Sequence, residues 1–398
     1  MNNQVKRSFK AKRIENIPPY LFAEIDKKRQ AAIAKGVDIV NLGIGDPDRP
    51  TPKHIVDAMH NAINDPSTHN YPPYQGTDEY RKTCVNWFSK RFNLPEFDYN
   101  EECLATIGMK EALHNLYLAV VDEGDYVLIP SPGYPVYKTS TILCGGKPYL
   151  MPLKAENNFL PDFKAIPKEI AQNAKLMLLN YPNNPTGVFA NLNFFQEAVD
   201  FALENNILIC HDNAYSETYF DPNNKPISIF QAKGSRDIAI EMFSLSKGYN
   251  MTGWRIGFAI GNKEAIKALS IVKTNIDSGV FKAIQKAAIH ALSNDAIHLP
   301  ELNKLYESRA KIVEEGLKSL GWNIKPSEGT LYIWAAIPRK FKTSIEFASY
   351  MLDECGIVVP PGVGYGEEGE GYFRIALTAE EDRIKEAFKR MKEKNLTY

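Results

Sequence analysis

The sequence predicts an α/β protein of two domains, a large one built on a parallel sheet covered by helices on both faces and a smaller α+β one. Three observations lead there. At 398 residues the chain exceeds the usual span of one hydrophobic core. From about residue 103 to residue 277, short β-rich runs alternate with helical stretches, the pattern of a parallel sheet with crossover helices. After about Phe281 the character changes to long charged helices around short strands.

Taken in order, residues 126–130, 175–180, 207–212 and 238–244 read as buried strands, being short runs rich in apolar side chains. Leu113, Leu116, Tyr117, Val120 and Val121 fall at helical spacing and give one apolar stripe, so this stretch is an amphipathic helix. Beyond Phe281, residues 283–292, 302–320 and 379–394 read as helices, with strands near Tyr332 and Phe373. In open α/β sheets ligands collect beyond the carboxyl ends of the strands. That rule selects residues 108–110, 131–134, 180–187, 212–215 and 244–247 as the places to look for chemistry.

Composition narrows the partners. A formal net charge of −1 provides no overall field for nucleic acid or an anionic membrane, which leaves a small molecule as the expected partner. The basic start (Lys6, Arg7, Lys10, Lys12, Arg13) reads as a solvated tail rather than a targeting peptide or nucleic-acid arm. Five scattered cysteines without a C-x-x-C pair suit a reducing compartment, and no apolar run approaches the roughly 18–20 residues of a membrane span. A cytoplasmic protein is expected. The seven histidines show no metal-ligand spacing, so no metal is expected, and His211 reads as a supporting group beside Asp212. Gly364-Tyr-Gly366-Glu-Glu-Gly369 satisfies G-x-G-x-x-G without the strand and helix of a dinucleotide site and reads as a loop.

The most informative segment is Ser244-Leu-Ser246-Lys247-Gly-Tyr-Asn-Met-Thr-Gly-Trp-Arg255-Ile-Gly. Lys247 directly follows a β-run, where a buried amine can lose its proton and act as a nucleophile toward an aldehyde. Ser244, Ser246 and Arg255 can together hold a phosphate dianion, the guanidinium as a bidentate clamp. Arg374, in Gly-Tyr-Phe-Arg-Ile-Ala-Leu, lies in an apolar run: pointing inward it needs an anionic partner, pointing outward it is an ordinary strand residue.

These segments, with Asn183-Asn184-Pro185-Thr186-Gly187, resemble the motifs of the fold-type I aminotransferases, and the resemblance runs over nearly the whole chain. It implies a mainly parallel seven-stranded sheet between helices, with residues 51–282 as the large domain, 283–398 as a smaller α+β domain, and 1–50 as an N-terminal arm that also contributes to the smaller one. It implies pyridoxal 5′-phosphate (PLP) as cofactor, held covalently by Lys247. Asp212 then partners the pyridine nitrogen, keeping the ring an electron acceptor, and Tyr215 and Asn184 hydrogen-bond the phenolic oxygen. Tyr134 corresponds to the aromatic stacked on the ring. Gly108, Met109 and Lys110 form the turn that meets the phosphate, although Met109 stands where many relatives carry a hydroxyl residue. Tyr71 corresponds to the tyrosine that reaches the phosphate from the neighbouring subunit, which implies a homodimer with sites at the interface. Arg374 and the backbone of Gly43 correspond to the clamp on the substrate α-carboxylate. Around Tyr20, 41–50 and 273–281 the chain is similar to the LL-diaminopimelate aminotransferase branch, with Tyr20 a candidate contact to the distal end of the substrate. Aspartate, alanine and aromatic aminotransferases share this machinery, as does a PLP-dependent C–S β-lyase.

Overall fold

The computed structural model describes residues 9–17 and 21–398, with only the backbone of residues 21–24. Tyr20 therefore lies outside the described residues. The central element is a seven-stranded sheet. Its strands are Cys103–Thr106 (β2), Tyr126–Ser131 (β3), Lys147–Pro152 (β4), Ala174–Leu179 (β5), Leu208–Asp212 (β6), Ala239–Ser244 (β7) and Gly257–Gly261 (β8), in the order β2-β8-β7-β6-β5-β3-β4. All neighbours pair in parallel except at β8, which runs antiparallel to both β7 and β2. The four strands expected from apolar runs lie within a residue or two of those positions. β2, β4 and β8 complete the sheet.

The inner strands are buried on both faces, and alternate side chains enter different cores. Leu176 and Leu178 of β5 join Leu104, Leu113, Leu116, Val127 and Met242 on one face. Met177 and Leu179 join Ala105, Leu128, Ile209, Phe243 and Phe258 on the other. This is the period-2 rule in a sheet with helices on both sides, where each fully buried aliphatic side chain contributes about 1.5–3 kcal/mol. The expected apolar stripe lies on the helix Met109–Val120, with Leu113, Leu116 and Tyr117 buried beneath it.

A second core surrounds the antiparallel pair Tyr332–Ala336 (β9) and Tyr372–Ala376 (β11) and the helices Leu299–Ser319, Ser344–Cys355 and Glu381–Glu393. The early strand Val40–Asn41 (β1) belongs here: it pairs in parallel with Ile357–Val358 (β10). Leu42 enters the same core, and its carbonyl accepts a hydrogen bond from the Ala376 N–H at 2.8 Å. Fully buried Arg309 then grips Asp48 through two bonds of 2.7 and 2.8 Å.

The helix Lys282–Ser293 differs from expectation. Its charged surface suggested the start of the smaller unit, but Ala287, Ala288, Ala291 and Leu292 pack into the large core. There the helix lies against Lys53–Ile63 and Asp78–Phe92. Amphipathic spacing marks which face is buried, not which core receives it. All five cysteines are free thiols. Among the described residues no helix is long and apolar enough to cross a membrane, and no group of side chains is arranged to hold a metal ion.

Candidate active site

The carboxyl ends of β3, β5, β6 and β7 open onto a cleft of about 450 Å³ that also takes its walls from the second core. Of the residues singled out in the sequence, Gly43, Met109, Lys110, Tyr134, Asn184, Asp212, Tyr215, Ser244, Ser246, Lys247, Arg255 and Arg374 line it together. Scattered over some 330 positions, most of them follow or end a strand, while Arg374 stands within β11 and Arg255 just before β8. Gly108 sits just behind, against Arg255. Tyr71 does not reach the cleft of its own chain and is 85% exposed.

Lys247 follows β7, and its Nζ donates to the carbonyl of Gly45 at 2.7 Å. Asp212 ends β6 at 5% exposure. Its Oδ2 accepts a hydrogen bond from the Tyr137 hydroxyl at 2.7 Å, while its backbone carbonyl accepts one from Asn180 Nδ2 at 2.8 Å. Among the described residues the other oxygen, Oδ1, is buried with no partner in full hydrogen-bond geometry, although the Ala214 N–H lies close enough to the carboxyl to favour its ionised form. Burial pushes the carboxyl pKa up to about 6, against the lowering influence of Tyr137 and of neighbouring His211. The folded-state value is raised, so the cost of ionising Asp212 is absent below its ordinary value of 3.8 and fully developed above about pH 6. Cofactor-free Asp212→Asn is accordingly expected to be more stable than the cofactor-free parent above about pH 6, by roughly 3 kcal/mol. The gap should close below about pH 4; urea melts at both pH values measure it, and a gap independent of pH would contradict the account.

Where Met109–Val120 begins, Gly108 adopts φ 73° and offers no side-chain cap. A Cβ there would lie 2.2 Å from Arg255 Nη2, so only glycine lets the guanidinium approach the exposed N–H groups of the first turn. Arg255 itself has a left-handed backbone (φ 55°) and is steadied by the Thr252 carbonyl at 2.9 Å and by Ser246 Oγ at 3.5 Å. The Ser246 N–H donates to Ser244 Oγ at 3.1 Å. A helix start, a guanidinium and two hydroxyls thus converge on one place suited to a phosphate dianion. Met109 supplies only backbone there.

On the opposite wall Arg374 is 5% exposed. It donates to the Gly43 carbonyl at 2.7 Å and to Asn184 Oδ1 at 3.0 Å, and its guanidinium lies 4.0 Å from the centre of the Tyr332 ring. Nε is buried and unpaired, and among the described residues no carboxylate pairs with this arginine. The inward alternative is the observed one. Such a cation is a receptor for an anion, and the cleft is the side from which one can arrive. The Tyr215 hydroxyl bonds that of Tyr332 at 3.1 Å, and burial holds its pKa well above the ordinary tyrosine value, so it remains a donor. Tyr134 stands edge-on to Tyr137, with ring centres 5.8 Å apart.

Cleft residues not singled out from the sequence include Tyr137, Gly45, Tyr332 and Tyr365. Tyr137 carries the only signal that was available, lying just after the Pro-Gly-Tyr-Pro turn. The residues present fit a phosphate-bearing pyridine cofactor. Asp212 Oδ1 could accept from a ring N–H, the Gly108–Arg255 cradle could take the phosphate, and the Lys247 amine lines the same cleft.

A mainly parallel sheet that brings a lysine, a buried aspartate and an anion cradle to its strand ends defines a transferase of fold type I. The chain belongs to the family Aminotransferase class I and II, which matches residues 37–391. It is 58% identical over 388 residues to LL-diaminopimelate aminotransferase 2 of Trichormus variabilis, covering 98% of this chain and 99% of that one. It is 58% identical over 381 residues to LL-diaminopimelate aminotransferase of Gloeobacter violaceus, covering 96% and 97%. Among solved structures, substrate-bound BacF from Bacillus subtilis superposes with a TM-score of 0.94 at 35% identity, covering 98% and 99% of the two chains.

Proposed function

We propose that this chain is a PLP-dependent LL-diaminopimelate aminotransferase, exchanging the amino group between LL-diaminopimelate and 2-oxoglutarate in lysine synthesis. The observation that carries the reading is 58% identity over 98% of the chain to a relative of that name. The cleft supports the chemistry. When bound, PLP supplies an electron-accepting ring conjugated to the carbon that takes up the amino nitrogen. Lys247 holds it through its amine, Asp212 keeps the pyridine nitrogen protonated, and Ser244, Ser246, Arg255 and the first turn after Gly108 hold the phosphate. Tyr134 covers the ring, and the Tyr215 hydroxyl and Asn184 steady its phenolic oxygen. Arg374, with Gly43 beside it, fixes the substrate α-carboxylate so that the Cα–H bond faces Lys247 Nζ. Once displaced by the substrate's own amine, the freed Lys247 amine would accept the proton leaving Cα.

Steady-state rates with LL-diaminopimelate, aspartate, alanine and phenylalanine against 2-oxoglutarate test the assignment. LL-diaminopimelate is expected to give the highest kcat/KM. Preference for another donor overturns the substrate, and release of thiol and pyruvate from cysteine conjugates without transfer overturns the reaction.

The same reading includes a cytoplasmic homodimer with Tyr71 completing the neighbour's phosphate site. Tyr71 is exposed among other uncovered apolar side chains, Tyr74, Ile271, Ile276 and Phe281, and Gly279 closes the loop tightly onto Pro72 and Pro73. Mixing Tyr71→Phe with Lys247→Ala chains is expected to restore activity in the hybrid dimer beyond that of either parent. An active monomer in sedimentation would refute the shared site.

A further inference from the structure

His211 lies on β6 between Cys210 and Asp212, but the alternation of the strand sends it to the other face of the sheet, among the core residues around Ile209 and Phe195. It is 0% exposed, as is Glu241, its register partner on β7. The His211 Nε2 lies 2.8 Å from the Tyr181 carbonyl, an atom that only accepts, so this nitrogen carries a hydrogen. Nδ1 lies 3.1 Å from Glu241 Oε2. That carboxylate already accepts from Asn213 Nδ2 (2.6 Å), Ser228 Oγ (2.6 Å) and the Ile229 N–H (3.2 Å). A neutral imidazole has one N–H, yet both ring nitrogens here meet acceptors, so the pair holds one proton more than a neutral histidine supplies.

Three further donors around Glu241 favour its ionised form, because a protonated acid would give up acceptor capacity that the obligate Ile229 donor requires. A carboxylate so buried costs several kcal/mol unless a cation balances it, which an imidazolium at His211 would do. The edge of the Phe195 ring, from the helix Leu192–Asn205, packs 4.9 Å from the imidazole. Among the described residues the titratable groups around His211 are Glu241 from β7, Tyr181, whose carbonyl it meets, and, on its own strand, Cys210 and Asp212.

We propose that His211 is a permanently charged positioning residue, locked as imidazolium by Glu241 and the Tyr181 carbonyl, whose field keeps neighbouring Asp212 a carboxylate. The consequence for catalysis rests on the reading of Asp212 as partner of the pyridine nitrogen; the proton count does not. Burial raises the Asp212 pKa and His211 works against that rise, the direction this role requires.

The test uses the cofactor-free protein, where failure of the PLP reading cannot affect the result. With ¹⁵N-labelled histidine, the long-range nitrogen–proton correlation of His211, assigned by its loss in His211→Asn, should show both nitrogens protonated and unchanged from about pH 6 to 9. A single tautomer, or titration within that range, overturns the proposal. In the same sample the Asp212 carboxyl ionisation, identified by its loss in Asp212→Asn, is followed by ¹³C shift. Its midpoint should rise by about one pH unit in His211→Asn. Glu241→Gln, which keeps shape and hydrogen-bonding capacity, serves where the first variant does not fold; there His211 should become neutral and the Asp212 midpoint should also rise. An unchanged midpoint in a folded variant overturns the proposal, since a merely structural contact would not move it.

Discussion

Lys247→Ala is expected to lose transamination by on the order of 10³-fold or more, because one amine both holds the cofactor and accepts the Cα proton. No other described amine lines the wall between Asp212 and the phosphate cradle except Lys110, which stands on the helix at the cradle's edge. Borohydride reduction followed by peptide mapping should place a pyridoxyl adduct on Lys247 in the parent and nowhere in the variant. Single-turnover rates near those of the parent would end the mechanism. Because among the described residues Lys247 bonds the Gly45 carbonyl alone, the variant should fold normally. Its melting temperature separates loss of chemistry from loss of structure.

Arg374→Ala is the second large effect. The guanidinium is buried, faces two neutral acceptors and meets no described carboxylate, so its charge is free to pair with a substrate anion. Removing one member of a buried charge pair costs about 2–5 kcal/mol, which predicts a fall in kcat/KM of on the order of 10² or more for substrates bearing an α-carboxylate. Arg374→Lys should recover only part, since an ammonium cannot offer the planar two-pronged geometry. Amines lacking the carboxylate should be processed equally by parent and variant. An unchanged kcat/KM for amino acids would remove Arg374 from the site.

Much of this was legible because strand ends are where the backbone changes direction and where short, punctuated motifs accumulate. Lys247 and Asp212 follow apolar runs directly, and the sheet rule then brings them together. Arg374 was ambiguous, since a strand arginine faces either side, and only the pairing of β11 with β9 and the contact with Gly43 turn it inward. Tyr332 looked like nothing more than part of a strand. Its hydroxyl matters through Tyr215, 117 positions away, and its ring through Arg374. Local sequence carries no record of such distant partners. β4 and β8 were missed for another reason: β4 is exposed at both ends with only Met151 fully buried, and β8 is a five-residue run bounded by glycines. Tyr71 was legible as a loop tyrosine; it is exposed and does not line the cleft of its own chain, so its role rests on the proposed dimer.

The pairing of β1 with β10, together with the grip of Arg309 on Asp48, gives the beginning of the chain a mechanical home at its end. Gly43, Gly45 and Arg374 therefore form one rim, carried by one core, while Lys247 and Asp212 stand on the other. If the two cores rock apart, that rim lifts as a unit, releasing the carboxylate and breaking the Lys247–Gly45 bond in the same stroke. A covalent staple across the rim would arrest both.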